Sequence, residues 1–366
     1  MNRTPLAALL LALTLALAAC GSDDGGPTVT ETGEDGTEPT ARTGEDVTLR
    51  LLTHDSFAVS DEVLDAFTAD TGITVELVPL GDAGLVVNQA ILTKSNPLGD
   101  VLFGIDNTLL TRALDEDIFV PYESPLLEHV DEVHLLDPEH RVTPIDHGEV
   151  CLNYDKAFFE GSELEPPEDL DDLADTAYRG LTVVENPATS SPGLAFLLAS
   201  IDRYGEDGWR DWWSSLREND VLVTPGWEDA YYGSFSGGAG EGDRPIVVSY
   251  ASSPPAEVIF ADPQPDEAPT GVVEASCFRQ VEGAGILVGT DHEAESRQLI
   301  DFLLSVPFQE DIPLQMFVFP VNRDAELPEA FVEHTVVPED PLSLPVEEIG
   351  ANRERWISEW TDTVLR

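Results

Sequence analysis

Residues 184–193 read Val-Glu-Asn-Pro-Ala-Thr-Ser-Ser-Pro-Gly, and this stretch decides the fold of the chain. The β-branched residues 181–184 before it predict a buried strand, and the apolar residues 194–201 after it predict a helix. Ser190 suits a helix N-cap, and Pro192 suits the first helical turn. Such a junction directs free backbone N–H groups at one point, which attracts phosphate or carboxylate. The same residues also fit an ordinary capped helix of an α/β domain.

The composition of the whole chain limits the classes of partner that it can bind. Of its 366 residues 42% are hydrophobic, which is enough for two domains with their own cores. The formal net charge is -53. A field of that sign repels nucleic acid and anionic lipid and favours cationic ligands, although acidic surfaces are also typical of salt-tolerant and secreted proteins. We therefore expect no nucleic-acid partner.

Residues 1–20 form a predicted targeting segment. Arg3 supplies its positive charge, and residues 5–19 are apolar but too short for a stable membrane span. The segment ends in Leu-Ala-Ala-Cys at Cys20, which resembles a bacterial lipobox and implies cleavage before Cys20 and its lipidation. Residues 21–46 are rich in Gly, Thr, Asp and Glu and are predicted to be a disordered acidic tether. The folded part would then lie on the outer face of the membrane, attached through its N-terminal lipid alone.

Predicted strands and helices alternate from residue 47 onward. The first unit has strands at 47–52, 73–78 and 101–103 and helices at 60–67, 85–92 and 106–114, which predicts a parallel sheet. Ligands bind beyond the carboxyl ends of such strands. Those ends are residues 53–57, 80–84 and 104–107, and a second unit past Asp146 has its strand ends at 185–193, 224–227 and 249–254. Two α/β lobes, each with a loop edge, predict a ligand enclosed between them.

The remaining patterns predict packing. Trp209, Trp212 and Trp213 recur at helical spacing, which favours packing over ligand binding. The β-rich residues 272–288 are expected to return the chain to the first lobe. An amphipathic pattern at 292–304 and an apolar face that ends at Val364 predict two late helices.

Besides Cys20, the mature chain keeps two further cysteines, and both lie on segments that are expected to cross between the lobes. Outside the cell, Cys151 and Cys277 favour a disulfide; the alternative is a catalytic thiol. The sequence contains no His-x-x-x-His pair, Gly-x-Ser-x-Gly elbow, phosphate-binding loop or Cys-x-x-Cys. We therefore predict that the protein is not an enzyme and needs no metal or cofactor.

From residue 47 to the C-terminus the chain resembles the thiamine-binding, periplasmic-type solute receptors of ABC importers, in the class that also holds ferric-ion receptors. The segments that carry the resemblance are 53–58, 104–110, 153–156, 186–193, 226–227, 249–254 and 356–360. It implies an α/β, two-lobed periplasmic-binding-protein fold of class II, in which each lobe is a mainly parallel sheet flanked by helices. We expect lobe 1 at residues 47–147 and 279–366, lobe 2 at 148–278, and the ligand in the cleft.

The resemblance also implies which residues contact the ligand: Asp82, Ala83, Ser190, Ser191, Trp227, Tyr250, Ala251, Ser252 and Ser253, with His54, Asp55 and Phe317. His54 stands where the family often has an aromatic, Phe317 where tryptophan is usual, and Ala256 where tyrosine can occur. Thiamine carries a cationic thiazolium and a flat aminopyrimidine, which suit aromatic faces and a carboxylate. Its phosphate esters suit the helix start at Ser190 and Ser191.

The predicted function is therefore a monomeric, lipid-anchored receptor that delivers thiamine or its mono- or diphosphate to an ABC importer. Two alternatives remain open. A ferric-ion receptor of the same fold is one, because Tyr231 and Tyr232 form a consecutive pair like that of ferric receptors. A thiaminase-like enzyme with Cys151 as nucleophile is the other.

Overall fold

The computed structural model describes residues 47–336 and 338–366, so the predicted targeting segment, Cys20 and the tether lie outside the described residues. The described part of the chain is α/β, as expected. Its strands are β1 (Val47–Thr53), β2 (Ile73–Pro79), β3 (Val101–Asp106), β4 (Phe119–Val120), β5 (Thr143–Asp155), β6 (Thr182–Glu185), β7 (Leu222–Thr224), β8 (Ile246–Tyr250), β9 (Thr270–Leu287) and β10 (Phe319–Pro320).

Most of the helices alternate with these strands. They are α1 (Asp61–Thr71), α2 (Ala83–Leu92), α3 (Leu110–Asp115), α4 (Lys156–Glu160), α5 (Ser191–Glu218), α6 (Trp227–Tyr231), α7 (Ser253–Ile259), α8 (Glu293–Leu303), α9 (Val306–Gln315), α10 (Glu329–His334) and α11 (Val346–Val364). Within the described ranges, no helix combines the length and the apolarity that a membrane span requires.

All ten strands belong to one mixed sheet with the main order β2-β1-β3-β9-β5-β8-β6-β7. Pairing is parallel within β1, β2 and β3, which we call the first half, and within β6, β7 and β8, which we call the second half. The long strands β5 and β9 lie between the halves and pair antiparallel with each other. The parallel units predicted from the sequence are therefore present, and two antiparallel strands connect them.

A disulfide joins β5 to β9 where the two halves meet. The bond between Cys151 and Cys277 is present, as predicted, and both side chains are fully buried. The register of the β5–β9 pair shifts between Val150 and Leu152, at the position of Cys151. The disulfide therefore links β5 and β9 where their pairing is irregular, and Cys151 has no free thiol in this structure.

Tryptophans dominate the largest apolar core. Trp209, Trp212 and Trp213 are buried, which confirms their predicted packing role. The indole of Trp213 meets that of Trp360 edge-on, with ring centroids 5.5 Å apart, so α11 is anchored on α5. A buried tryptophan removes roughly 150–250 Å² from water, worth roughly 4–6 kcal/mol.

Several predicted element boundaries differ from the structure, among them those of β3, α3 and α5. Strand β3 continues to Asp106, and α3 begins only at Leu110. The Asp106 carboxylate accepts hydrogen bonds from the backbone N–H groups of Thr108 and Leu109, which hold a turn between strand and helix. Helix α5 is longer than predicted and contains one non-helical residue, Gly205, with φ at 69°.

Candidate functional site

A cavity of about 610 Å³ lies where loops from both halves of the sheet meet. The structure brings nine of the twelve predicted contact residues to its wall: His54, Asp55, Asp82, Ala83, Ser191, Trp227, Tyr250, Ser253 and Phe317. The other three, Ser190, Ala251 and Ser252, are buried behind the wall and do not line the cavity.

Strand ends position most of this wall. His54 follows β1 directly, and Asp82 follows β2 and is the N-cap residue of α2. On the opposite side, Trp227 begins α6 shortly after β7, and Tyr250 is the last residue of β8. Because the carboxyl ends of neighbouring parallel strands meet at one edge, these side chains converge as the sequence predicts.

The carboxylate of Asp82 reaches across the cavity to two helix starts. One oxygen, Oδ1, accepts from the backbone N–H of Ser191 at 3.0 Å, and Oδ2 accepts from that of Trp227 at 3.1 Å. Burial raises the pKa of Asp82, and the hydrogen bonds from Trp227 and Ser191 offset part of that rise. The helix start that was expected to attract an anion thus holds a carboxylate from the chain itself.

The two serines at this helix start have partners within the protein. The Ser190 hydroxyl accepts from the backbone N–H of Gly193 at 3.4 Å, which is the capping role. The Ser191 hydroxyl accepts from the side-chain amide of Gln280 at 3.0 Å. Since Ser190 is 1% exposed, only Ser191 of this pair is accessible from the cavity.

Aromatic rings form the apolar part of the wall. Trp227 stacks on Tyr231 with ring centroids 5.0 Å apart, and its indole N–H donates to the hydroxyl of Ser249 at 2.9 Å. At another side, Phe317 meets Phe260 edge-on at 5.2 Å. The backbone of Phe317 has a φ of 58°, which is unfavourable for a bulky residue, so its surroundings hold the ring in place. Its stacking on Tyr231 and its hydrogen bond to Ser249 make Trp227 a fixed, flat contact surface.

The charged side chains of the cavity wall are mostly negative. Its carboxylates belong to Asp55, Asp82, Glu228, Asp229, Glu257 and Glu282, and no Lys or Arg is among the described residues that line the cavity. His54 lies 3.4 Å from Glu282, between Nε2 and Oε2. Burial alone would lower the pKa of His54, but Glu282, Asp82 and Asp55 outweigh it, and the net effect is a raised pKa. Such a cavity suits a cation.

Three acidic residues lie side by side on adjacent strands, and one of them, Glu282, lines the cavity. Glu282 of β9 pairs in register with Asp106 of β3 and with Asp146 of β5. Burial raises the pKa of Asp106 to about 6. Burial and the neighbouring Glu282 raise that of Asp146 well above its ordinary range, and one Asp146 oxygen has no hydrogen-bond partner. Like charges opposite one another across strands are unfavourable, so Asp106 and Asp146 bind protons more readily than exposed aspartates do.

Sequence reasoning did not assign several residues of the wall: Glu257, Phe260, Glu282 and Met316. Glu257 lies within α7, and Phe260 follows its last residue. They are four and seven positions after Ser253, so helical spacing from Ser253 could have indicated both. Glu282 lies within an 18-residue strand and has no such local signal.

The tyrosine pair also lines the cavity, but its geometry favours packing. The Tyr231 hydroxyl donates to Glu257 at 2.7 Å. Burial and the charge of Glu257 raise the pKa of Tyr231 well above its ordinary value, which keeps the phenol neutral. Within residues 47–336 and 338–366, no group of three or more His, Cys, Asp or Glu side chains is arranged to hold a metal.

Comparison with known proteins identifies the family of the chain. Residues 96–338 match the family described as bacterial extracellular solute-binding protein. The thiamine-binding periplasmic proteins of Salmonella typhimurium and Escherichia coli are each 30% identical to this chain over 322 residues, covering 87% of it and 94% of each relative.

Solved structures give the same result. A periplasmic thiamin-binding protein aligns with a TM-score of 0.77 at 29% identity, covering 87% of this chain and 96% of that one. A ferric-binding protein from Campylobacter jejuni, at a TM-score of 0.69 and 18% identity over 86% of this chain and 99% of that one, shares the fold alone. These structures confirm the two-lobed fold class. The chain therefore belongs to the bacterial extracellular solute-binding proteins.

Proposed function

We propose that this receptor captures thiamine between its lobes and delivers it to an ABC importer. The observation that carries the proposal is the wall of the cavity, where the rings of Trp227 and Tyr250 stand among the carboxylates of Asp82 and Glu282. A cationic thiazolium gains from aromatic faces and from nearby carboxylates in a partly dry site. The names of the thiamine-binding relatives support the same ligand.

The proposed lobes are residues 47–147 with 279–366 and residues 148–278. Strands β5 and β9 would be the connections between them, because β9 pairs with β3 of the first half, β5 pairs with β8 of the second half, and the two pair with each other. Rotation about these two strands would open and close the cavity. We further propose a monomer that Cys20 anchors to the outer face of the membrane through lipid.

We also propose that the receptor binds its ligand without catalysing a reaction. The disulfide leaves Cys151 without the thiolate that a thiaminase-like mechanism needs. Iron capture would require Tyr231 to lose its proton, and its hydrogen bond to Glu257 opposes that loss. The first observation favours the thiamine receptor over a thiaminase-like enzyme, and the second favours it over a ferric-ion receptor.

Calorimetry on the mature protein, unfolded and refolded to remove retained ligand, tests the proposal. We expect thiamine to bind once per chain with a Kd at or below about 1 µM, equivalent to about 8 kcal/mol. Ferric citrate serves as the comparison ligand and should give neither heat nor a visible charge-transfer band. Absence of thiamine binding at millimolar concentration, or tight iron binding in its place, would contradict the proposal.

A further inference from the structure

We infer that Gln280 is a positioning residue for ligand binding, which fixes the ring of Tyr250 in the cavity wall through a hydrogen bond to its hydroxyl. Gln280 lies on β9, is 4% exposed and is not among the described residues that line the cavity. It therefore acts through a neighbour and does not touch the ligand. Because it serves the same cavity, this role rests on the proposed function.

The side-chain amide of Gln280 makes hydrogen bonds at both of its ends. Its oxygen Oε1 accepts from the Tyr250 hydroxyl at 2.8 Å. Its nitrogen Nε2 donates to the Asp106 carboxylate and to the Ser191 hydroxyl, the second at 3.0 Å. Because an ionised carboxylate can only accept, Asp106 determines which end of the amide faces Tyr250. The amide oxygen is thereby directed at the phenol.

The hydroxyl of Tyr250 is the donor of this pair. Burial, and after it the charges of Glu282 and Asp82, raise the pKa of Tyr250 well above its ordinary value. The phenol therefore stays protonated and donates to Gln280. A polar group removed from water is costly to leave without a partner, so the hydrogen bond opposes rotation of the ring out of the wall.

The backbone beneath the ring supports the same position. Tyr250 is the last residue of β8 and pairs in register with Val150 of β5. A Cβ on Gly148 of β5 would lie 3.2 Å from the ring atom Cδ1 of Tyr250, and Gly148 pairs in register with Gln280. The ring thus crosses β5 at a residue without a side chain, and its hydroxyl reaches the next strand.

The same amide joins groups from both halves of the sheet. Asp106 ends β3 of the first half, whereas Ser191 begins α5 after β6 of the second half and Tyr250 ends β8. Gln280, on the strand between them, holds Tyr250 in one orientation before the ligand arrives. Without the amide the ligand would have to restrain the ring on binding, which lowers the affinity.

Calorimetric titration of thiamine into the refolded mature receptor at roughly pH 8, where Asp106 is ionised, tests this role. Gln280→Met has a side chain of similar length without an amide, and Tyr250→Phe keeps the ring without its hydroxyl. We expect each variant to bind thiamine at least about fivefold more weakly than the wild type.

The double variant separates a shared role from two independent ones. Because both substitutions remove the same hydrogen bond, Gln280→Met with Tyr250→Phe should bind no more than about twofold more weakly than the weaker single variant. Independent roles would instead multiply the two losses, to about 25-fold or more.

Gln309→Met is the matched control. Gln309 is fully buried and also makes three hydrogen bonds, to backbone groups of Ile145, Leu303 and Asn322. It is not among the described residues that line the cavity. The control variant should lose stability in urea but keep the wild-type affinity for thiamine.

Multiplied losses in the double variant, or an equal loss of affinity in Gln309→Met, would overturn the positioning role and leave the receptor function standing. Wild-type affinity in Tyr250→Phe would overturn it as well, and that variant decides the matter if Gln280→Met does not fold. If the wild type does not bind thiamine, the proposed function fails, and the role of Gln280 fails with it.

Discussion

The backbone of Thr189 packs against Gly84 so closely that a Cβ on Gly84 would lie 2.7 Å from the Thr189 carbonyl oxygen. Gly84 belongs to α2, which follows β2 of the first half, and Thr189 precedes α5 of the second half. The two sides of the cavity therefore meet here through backbone. Only glycine allows this approach.

We expect Gly84→Ala to weaken thiamine binding by at least about tenfold, because the added methyl group opposes closure around the ligand. The ligand-free protein can relieve the contact by opening, and alanine suits a helix better than glycine, so the thermal midpoint should change little. Gly208→Ala in α5, away from the cavity, is the control and should bind normally. A loss of stability with unchanged affinity would contradict this account.

Trp227 provides the second prediction. Trp227→Ala should weaken thiamine binding roughly 5- to 30-fold, equivalent to the loss of about 1–2 kcal/mol from a cation–π contact. Trp227→Phe keeps a ring but loses the hydrogen bond to Ser249, so it should retain most of the affinity. Fluorescence or calorimetric titration measures both. Equal affinities for all three proteins would mean that Trp227 only supports the wall.

The pH dependence of binding follows from His54. Because its pKa is raised, the stability that its pairing with Glu282 contributes is complete below the ordinary value of 6.5 and is lost as the pH rises through the raised pKa. Over that window Glu282 loses its histidine partner, and the negative charge that faces the ligand increases. Of the neighbouring acids, Asp82 and Asp55 also face His54.

We therefore expect the affinity for thiamine to rise with pH across this window, by at most about tenfold per pH unit, and then to level off. His54→Gln should remove the slope between pH 6.5 and the plateau. Titrations in buffers of matched ionic strength measure it. The same slope in wild type and variant would assign the dependence to another group.

Asp146 offers a prediction about stability. Its pKa is raised well above 3.8, so the folded protein binds a proton that the unfolded chain releases, and stability falls as the pH rises between the two values. Asp146→Asn removes this penalty. The variant should gain stability over wild type by about 1.4 kcal/mol for each pH unit within the window, measured by urea denaturation at several pH values. A constant difference across pH would contradict the assignment.

Removal of the disulfide is the fifth prediction. Replacing both Cys151 and Cys277 by alanine should lower the free energy of unfolding by about 2–5 kcal/mol. Thiamine affinity should change little, because neither cysteine lines the cavity. Ligand titration and denaturation of the same preparation separate the two effects. A large loss of affinity at full stability would show that the bond sets the position of the lobes.

The sequence was sufficient for features that follow from local pattern and strand direction. His54, Asp82, Trp227 and Tyr250 could be placed at one cavity because each lies at or just after a strand end. The disulfide could be predicted from two cysteines on crossing segments of an exported chain. These inferences need only the direction of each strand.

Two features depended on tertiary contacts. Glu282 reaches the cavity because β9 passes between the halves, and no spacing within the strand reveals this. The start of α5 has the residues of an anion site, but the anion in the structure is Asp82, which is 109 positions away from Ser191. An N-cap serine looks the same in sequence whether its helix receives a ligand or a side chain of the same protein.

The disulfide has one more consequence, which concerns covalent topology. Cys151 and Cys277 are 126 positions apart, so their bond closes a ring of main chain that contains β6, β7, β8 and helices α4 to α7. A single protease cut within the ring, for example in the glycine-rich residues 237–242, leaves one covalently continuous molecule. After such a nick the receptor thus keeps both walls of its cavity in one covalent molecule.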